Sequence, residues 1–91
     1  MTRIDCHMHL GREEEWGYSA ADAVEAAARL GIDKFCACEI ARGIYVEASE
    51  VSARNDLVLR DMKAFPDTVL GLCYIHPGWP REAQDLSLIH I

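Results

Sequence analysis

The segment Asp5-Cys6-His7-Met8-His9 holds the residues of this chain best suited to chemistry. Side chains alternate in direction along a β-strand, so a strand here turns Asp5, His7 and His9 to one face and brings two imidazoles together. A neutral imidazole nitrogen is a good ligand for zinc and other divalent first-row metals, reached at about 2.0 to 2.1 Å for zinc. A metal held there lowers the pKa of its bound water to roughly 7, which supplies hydroxide at neutral pH. Catalytic zinc usually has three protein ligands plus water. The rest of the sequence offers no convincing third, so His7 and His9 are expected to be part of a larger set. The plainer use of a His-x-His pair is as polar residues on the exposed face of a terminal strand.

Other candidates fall at strand ends and in loops. His76 closes an apolar segment and is expected either to face the same mouth, binding substrate or moving a proton, or to be a solvated strand terminus. Glu39 carries the same two readings, lining the mouth or simply solvated. Trp16, Tyr45 and Trp79 lie in expected loops on that side and would wall a pocket for a flat or apolar substrate, or only cover a rim. Arg12 and Arg42 would pair with a substrate carboxylate if they are not merely solvated.

The elements that must position these residues follow from periodicity. Arg3 to His9 reads as a strand, with Ile4, Cys6 and Met8 alternating against Asp5, His7 and His9. Gly11 to Tyr18 reads as a polar loop. Ser19, followed three residues later by Asp22, resembles a capping box opening a helix that runs to about Leu30, with Gly31 as its C-terminal cap. That helix has a small-residue face of Ala20, Ala23, Val24, Ala27 and Ala28, able to lie close to a sheet. Lys34 to Glu39 reads as a second strand, with Phe35, Ala37 and Ile40 facing one way and Cys36 and Cys38 the other. After a loop through Arg42, Gly43 and Tyr45, Ser49 is positioned to cap a second helix. Its buried stripe is Val51, Val58, Met62 and Phe65, and Pro66 ends it. Thr68 to His76 reads as a third strand whose nearly continuous apolar run suits a parallel strand covered on both faces. Pro77-Gly78-Trp79-Pro80 stops it, and Arg81 would begin a third helix. The order is βαβαβ, an α/β fold with parallel strands.

Composition narrows the function. The 91 residues include 15 acidic and 9 basic ones, for a formal net charge of −6, and the basic residues are scattered. This argues against nucleic acid as a partner. No apolar run approaches the roughly 20 residues needed to span a bilayer. The first ten residues carry Asp5 and two histidines where a signal peptide is apolar, so no membrane association and a cytoplasmic location are expected. Cys6, Cys36, Cys38 and Cys73 all sit in apolar segments and read as reduced core residues rather than a disulfide scaffold. A zinc knuckle at Cys36-x-Cys38 would want wider spacing and a second ligand pair.

Ile4-Asp5-Cys6-His7-Met8-His9-Leu10 resembles the first-strand metal motif of the amidohydrolase superfamily. Asn55-Asp56, Ala64-Phe65-Pro66-Asp67 and Leu70-Gly71-Leu72-Cys73-Tyr74-Ile75-His76-Pro77 resemble its amidohydrolase-related branch, which includes hydrolases of amides and lactones and non-oxidative decarboxylases. The resemblance covers nearly everything from Thr2 to Asp85. It implies that residues 1–85 are the N-terminal portion of a (β/α)8 TIM barrel, which needs about 250 residues. It also implies a divalent metal, zinc first and manganese as the alternative, bound by His7 and His9 and by a later histidine and aspartate beyond this chain. The expected partner is a small-molecule substrate, contacted by His76 and Trp16. The oligomeric state is open, a homo-oligomer of the full-length protein included. The family's third strand commonly ends in Asn-Pro where this chain has His76-Pro77, which leaves the substrate open. TatD-type metal-dependent nucleases share a similar start and a His-Pro after the third strand, and are the competing enzyme class. A small non-catalytic α/β binding module is the reading from outside enzymology.

Leu86-Ser87-Leu88-Ile89-His90-Ile91 matches the translation of CTG TCT CTT ATA CAC ATC, which resembles a transposon-end adapter from sequencing-library preparation. Residues 86–91 are therefore expected to be adapter read-through, with Asp85 the last authentic residue. Resequencing the source locus past the Asp85 codon checks this. The frame is expected to continue for roughly 150 to 250 residues with His and Asp ligands at later strand ends. A stop codon directly after Ile91 would favour the small binding module.

Overall fold

The structure, a computed structural model, describes residues 1–41 and 46–89, and for residues 82 and 86–89 the backbone alone. Its elements are β1 (Ile4–His9), α1 (Glu13–Trp16), α2 (Ala20–Arg29), β2 (Lys34–Cys38), α3 (Ala48–Ala64), β3 (Val69–Gly71) and α4 (Pro80–Ile89). The three strands form one open parallel sheet in the order β1-β2-β3. This is the expected α/β arrangement, with the short helix α1 inside what reads as a polar loop.

Local chemistry fixes the helix ends. The Ser19 hydroxyl accepts the Asp22 N–H at 3.1 Å, and the Asp22 carboxylate accepts the Ser19 N–H at 3.0 Å. Both bonds satisfy donors that a helix start would otherwise leave open. Gly31, at φ 73°, takes the left-handed turn that ends α2. The expected cap at Ser49 is not used: the N-cap lies two residues earlier, at Glu47, and makes no side-chain cap bond. Pro66 cannot supply an amide hydrogen to continue the helix, and α3 stops at Ala64.

The core lies on one face of the sheet. Ala20, Ala23 and Ala27 of α2 pack with Leu10, Phe35, Ala37 and Val69, and Met62 and Phe65 from the end of α3 close over the same cluster. Consecutive crossovers of the usual right hand put both helices on one side. Ala28, read from spacing as part of the buried face, is exposed. Gly71 lets α3 approach, since a Cβ there would meet the Met62 thioether and stand 3.0 Å from a Val58 methyl.

The other face of the sheet carries the side chains that pair out of phase with that core. Cys36 pairs with Leu70, while Phe35 and Ala37, on the core side, pair with Val69 and Gly71. Ile4, Leu70 and Leu72 are 48%, 37% and 47% exposed, so this face is apolar and wet. None of the four cysteines joins the buried core: all are free, Cys6 is exposed, and the other three are half-buried. The expectation of buried core thiols fails for Cys6, Cys36 and Cys38 because alternation turns them away from the helices, and Cys73, beyond the end of β3, only borders a hollow beside α3 with Val58 and Met62.

The third strand is much shorter than the apolar run Thr68–His76 suggests. Leu72 N–H still reaches the Ala37 carbonyl at 2.8 Å. Beyond it the buried Asn55 side chain takes the place of a neighbouring strand, accepting the Tyr74 N–H at 2.7 Å and donating to the Tyr74 carbonyl at 2.8 Å. Both Tyr74 backbone groups are thus satisfied without a ladder.

The capping box makes stability testable by pH. The Ser19 backbone N–H and then its hydroxyl hold the Asp22 carboxyl below its ordinary 3.8. A depressed folded-state pKa contributes stability that is present above 3.8 and lost as pH falls through the lowered value. Urea unfolding against pH should therefore show an acid-side loss that Asp22→Asn flattens. Ser19→Ala should cost about 1 kcal/mol at neutral pH.

Candidate metal-binding site

The two histidines come together, although not by the simple alternation the sequence suggests. Asp5 pairs with Phe35 and Met8 with Ala37, so three residue steps along β1 span two along β2. One extra residue is accommodated as a β-bulge. Asp5 and Met8 consequently share the core side of the sheet, both bordering a hollow of about 100 Å³ under α2 with Ala23, Ala27 and Phe35. His9 pairs with Cys38 on the opposite, open face. The His7 and His9 rings meet edge to face with centroids 5.1 Å apart. The expectation that Asp5 shares their face is thus corrected: its carboxylate instead accepts the His7 backbone N–H at 3.0 Å.

His9 is held on several sides. Its Nδ1 lies 3.2 Å from the Cys38 carbonyl oxygen, which can only accept, so a hydrogen bond there calls for the tautomer with the proton on Nδ1 and the lone pair on Nε2. This is the usual support for a ligating histidine, whose second nitrogen donates to a carbonyl or carboxylate. Trp16 lies flat on the His9 ring, 4.8 Å between centroids and 11° between planes. Tyr18 O–H donates to the His9 carbonyl at 2.6 Å. Burial, reinforced by the Glu39 charge, raises the pKa of that hydroxyl and keeps it a donor. The same two causes raise the Cys38 thiol, whose sulfur is 3.6 Å from His9 Nδ1.

Glu39 neither lines a mouth nor is solvated; it is fully buried. It continues the Phe35 and Ala37 side of β2, the place the sequence reading gave to Ile40, and Ile40 is exposed. Its carboxylate accepts the Arg12 N–H at 3.0 Å, the Trp16 indole N–H at 3.1 Å and the Ile40 N–H at 2.9 Å. The Arg54 guanidinium stands 3.5 Å away. Arg54 is 4% exposed, donates to the Ile40 carbonyl at 2.8 Å and pairs with Glu50 at 2.7 Å. Burial acts to lower its pKa, but Glu50, Glu39 and Glu15 together outweigh this and raise it. Gly11 passes directly over Glu39: at φ 138°, its absent Cβ would collide with the carboxylate.

The remaining expected site residues are placed as follows. Trp16 touches His9 and Glu39 at once. His76 is half-buried and its Nδ1 accepts the Gly78 N–H at 3.0 Å, inside its own His-Pro turn. Arg12 pairs with Glu15 and Trp79 donates to the Val46 carbonyl at 2.6 Å, so both have internal partners. Arg42 and Tyr45 lie outside the described residues.

The His7 and His9 rings are neighbours, and the His9 nitrogen that contacts the Cys38 carbonyl is Nδ1 rather than Nε2. Among the described residues no three His, Cys, Asp or Glu side chains converge to hold a metal ion. Also among them, no helix is long and apolar enough to cross a membrane. No family model matches this chain, and no curated protein matches it.

Two features of the buried network were visible only indirectly in sequence. Glu39 sits at the next period-2 position after Phe35 and Ala37, and Arg54 and Asn55 fall within the helical stripe that includes Val51 and Val58. Removing the cation tests the network. Arg54→Met should lower unfolding free energy by on the order of 3 kcal/mol, because Glu39 stays buried without its counter-charge. Chemical denaturation followed by circular dichroism reads the loss, which is comparable with the whole stability of a small domain.

Proposed function

We propose that this chain is the N-terminal portion of a metal-dependent (β/α)8-barrel enzyme of amidohydrolase type. The reading is a hydrolase or non-oxidative decarboxylase for a small carboxylated, amide or lactone substrate. The observation that carries it is the His7 and His9 pair at the C-terminal end of the first parallel strand, with His9 Nδ1 committed to the Cys38 carbonyl. In parallel barrels catalytic groups gather at that end of the strands.

The distribution of apolar surface supports the barrel part of the reading. A doubly wound sheet has helices on both faces, whereas a barrel has helices outside and packed side chains inside. Here α2 and α3 share one face and Ile4, Leu70 and Leu72 are exposed on the other. An all-parallel sheet is normally covered on both sides. The exposed face is what a barrel interior would bury.

His7 and His9 would hold the metal, zinc first and manganese as the alternative, with further ligands from beyond this chain. When bound, such an ion polarises a substrate oxygen and acidifies a water. The chain's own contribution is to engage the His9 ring through Nδ1 at the Cys38 carbonyl, which leaves Nε2 for the ion, and to place the Trp16 indole beside it.

Zinc titration of the 91-residue chain by calorimetry tests the reading. Weak, one-to-one binding is expected, as two protein ligands allow, and His7→Ala or His9→Ala should abolish it with the circular dichroism unchanged. Binding that survives both substitutions, or none in the unaltered chain, would sink the metal assignment. The chain alone should show no metal-dependent turnover, since the remaining ligands lie elsewhere.

A further inference from the structure

Glu39 is a buried charged group that metal chemistry does not need for ligation, yet it is tied to the candidate ligand by two short routes. In one, its Oε1 accepts the Trp16 indole N–H, and that indole lies flat on the His9 ring. In the other, the same oxygen accepts the N–H of Ile40, one residue on. This fixes the end of β2, from which the Cys38 carbonyl projects to His9 Nδ1. Gly11 and the Arg12 N–H close over the second carboxylate oxygen, so the group cannot swing away.

We infer that Glu39 is a positioning residue: acting through Trp16 and the Cys38 peptide, it holds His9 in one ring orientation and in the Nδ1–H form. This deepens the proposed metal reading, which supplies its purpose, but the ring state can be observed without a metal. A ring pinned between an indole and a carbonyl presents Nε2 in a single direction. A ring released from the indole can rotate, and the neutral form then shifts toward the Nε2–H tautomer that exposed imidazole prefers, which removes the lone pair from the outward nitrogen. Supports of this kind typically change metal affinity by about 10- to 100-fold when removed.

The test uses the ¹⁵N-labelled 91-residue chain at a pH where both histidines are neutral. Long-range ¹H–¹⁵N correlation spectra assign the tautomer of each ring. His9 should be in the Nδ1–H form, and Glu39→Gln should move it toward Nε2–H, because the amide NH2 must face N–H donors at one of the two oxygen positions, either those of Trp16 and Ile40 or that of Arg12, and the repulsion displaces the group. Trp16→Phe keeps a flat ring but loses the indole donor, so it should produce a smaller shift in the same direction, with the backbone spectrum native. His7, which lacks these contacts, should not change in either variant. Zinc affinity should fall by about tenfold or more in Glu39→Gln. An unchanged His9 tautomer in both variants overturns the inference, and Trp16→Phe alone decides if Glu39→Gln does not fold. If the tautomer responds but the unaltered chain binds no zinc, positioning stands and the metal reading falls.

Discussion

Burying one carboxylate completely obliges the chain around it to arrange itself as a solvent would. The desolvation of such a group costs several kcal/mol and is offset only by close donors and a counter-charge. Glu39 receives three N–H groups at 2.9 to 3.1 Å and a guanidinium at 3.5 Å. They come from the loop after β1, from α1, from the end of β2 and from α3. A single residue therefore couples four segments, and the segment between β1 and α2, anchored in the core by Leu10 and Tyr18, is held between them at Arg12 and Trp16 by this ion. Moving any one of these segments would leave a charge partly unsatisfied, which gives the region a definite conformation in place of a range of similar ones.

The same arrangement divides the buried ion from the histidine pair across the sheet. On the helix side, small residues of α2 allow close approach to Phe35 and Ala37, and the buried ion closes the strand ends. On the other side, the β-bulge in β1 leaves His7 and His9 near each other, beside half-buried cysteines and exposed Ile4, Leu70 and Leu72. The bulge places Asp5 on the helix side and His9 on the open face. Pairing to β2 decides this, since the hydrogen-bonded register overrides the alternation intrinsic to one strand.

Those differences explain what could be read in advance. Ser19 with Asp22, Gly31 and Pro66 act on their immediate neighbours, so the limits of α2 and the end of α3 were legible from residue type. Parallel strands were legible from the β–α alternation and the apolar runs. The bulge was not, because Ile4 to His9 alternates faultlessly and only the partner strand shows the extra residue. Glu39 was half legible: strict period two from Phe35 and Ala37 leads to it, yet the apolar Ile40 was read into that place, since an acidic side chain argues for solvent until Arg54, fifteen positions on, is known to reach it. The apparent length of the third strand misled for a similar reason, since the Asn55 amide imitates a neighbouring strand at Tyr74 and hydrophobicity carries no trace of it.

Gly11 shows what such a design means for inheritance. It has no side chain, and its φ of 138° and the carboxylate beneath it leave room for hydrogen and nothing larger. Natural variation at this codon should be purged almost as strictly as at the histidines. A comparison based on tolerance alone would then enrol Gly11 in the proposed metal site, when its constraint is that of a lid with no thickness to spare over a buried ion.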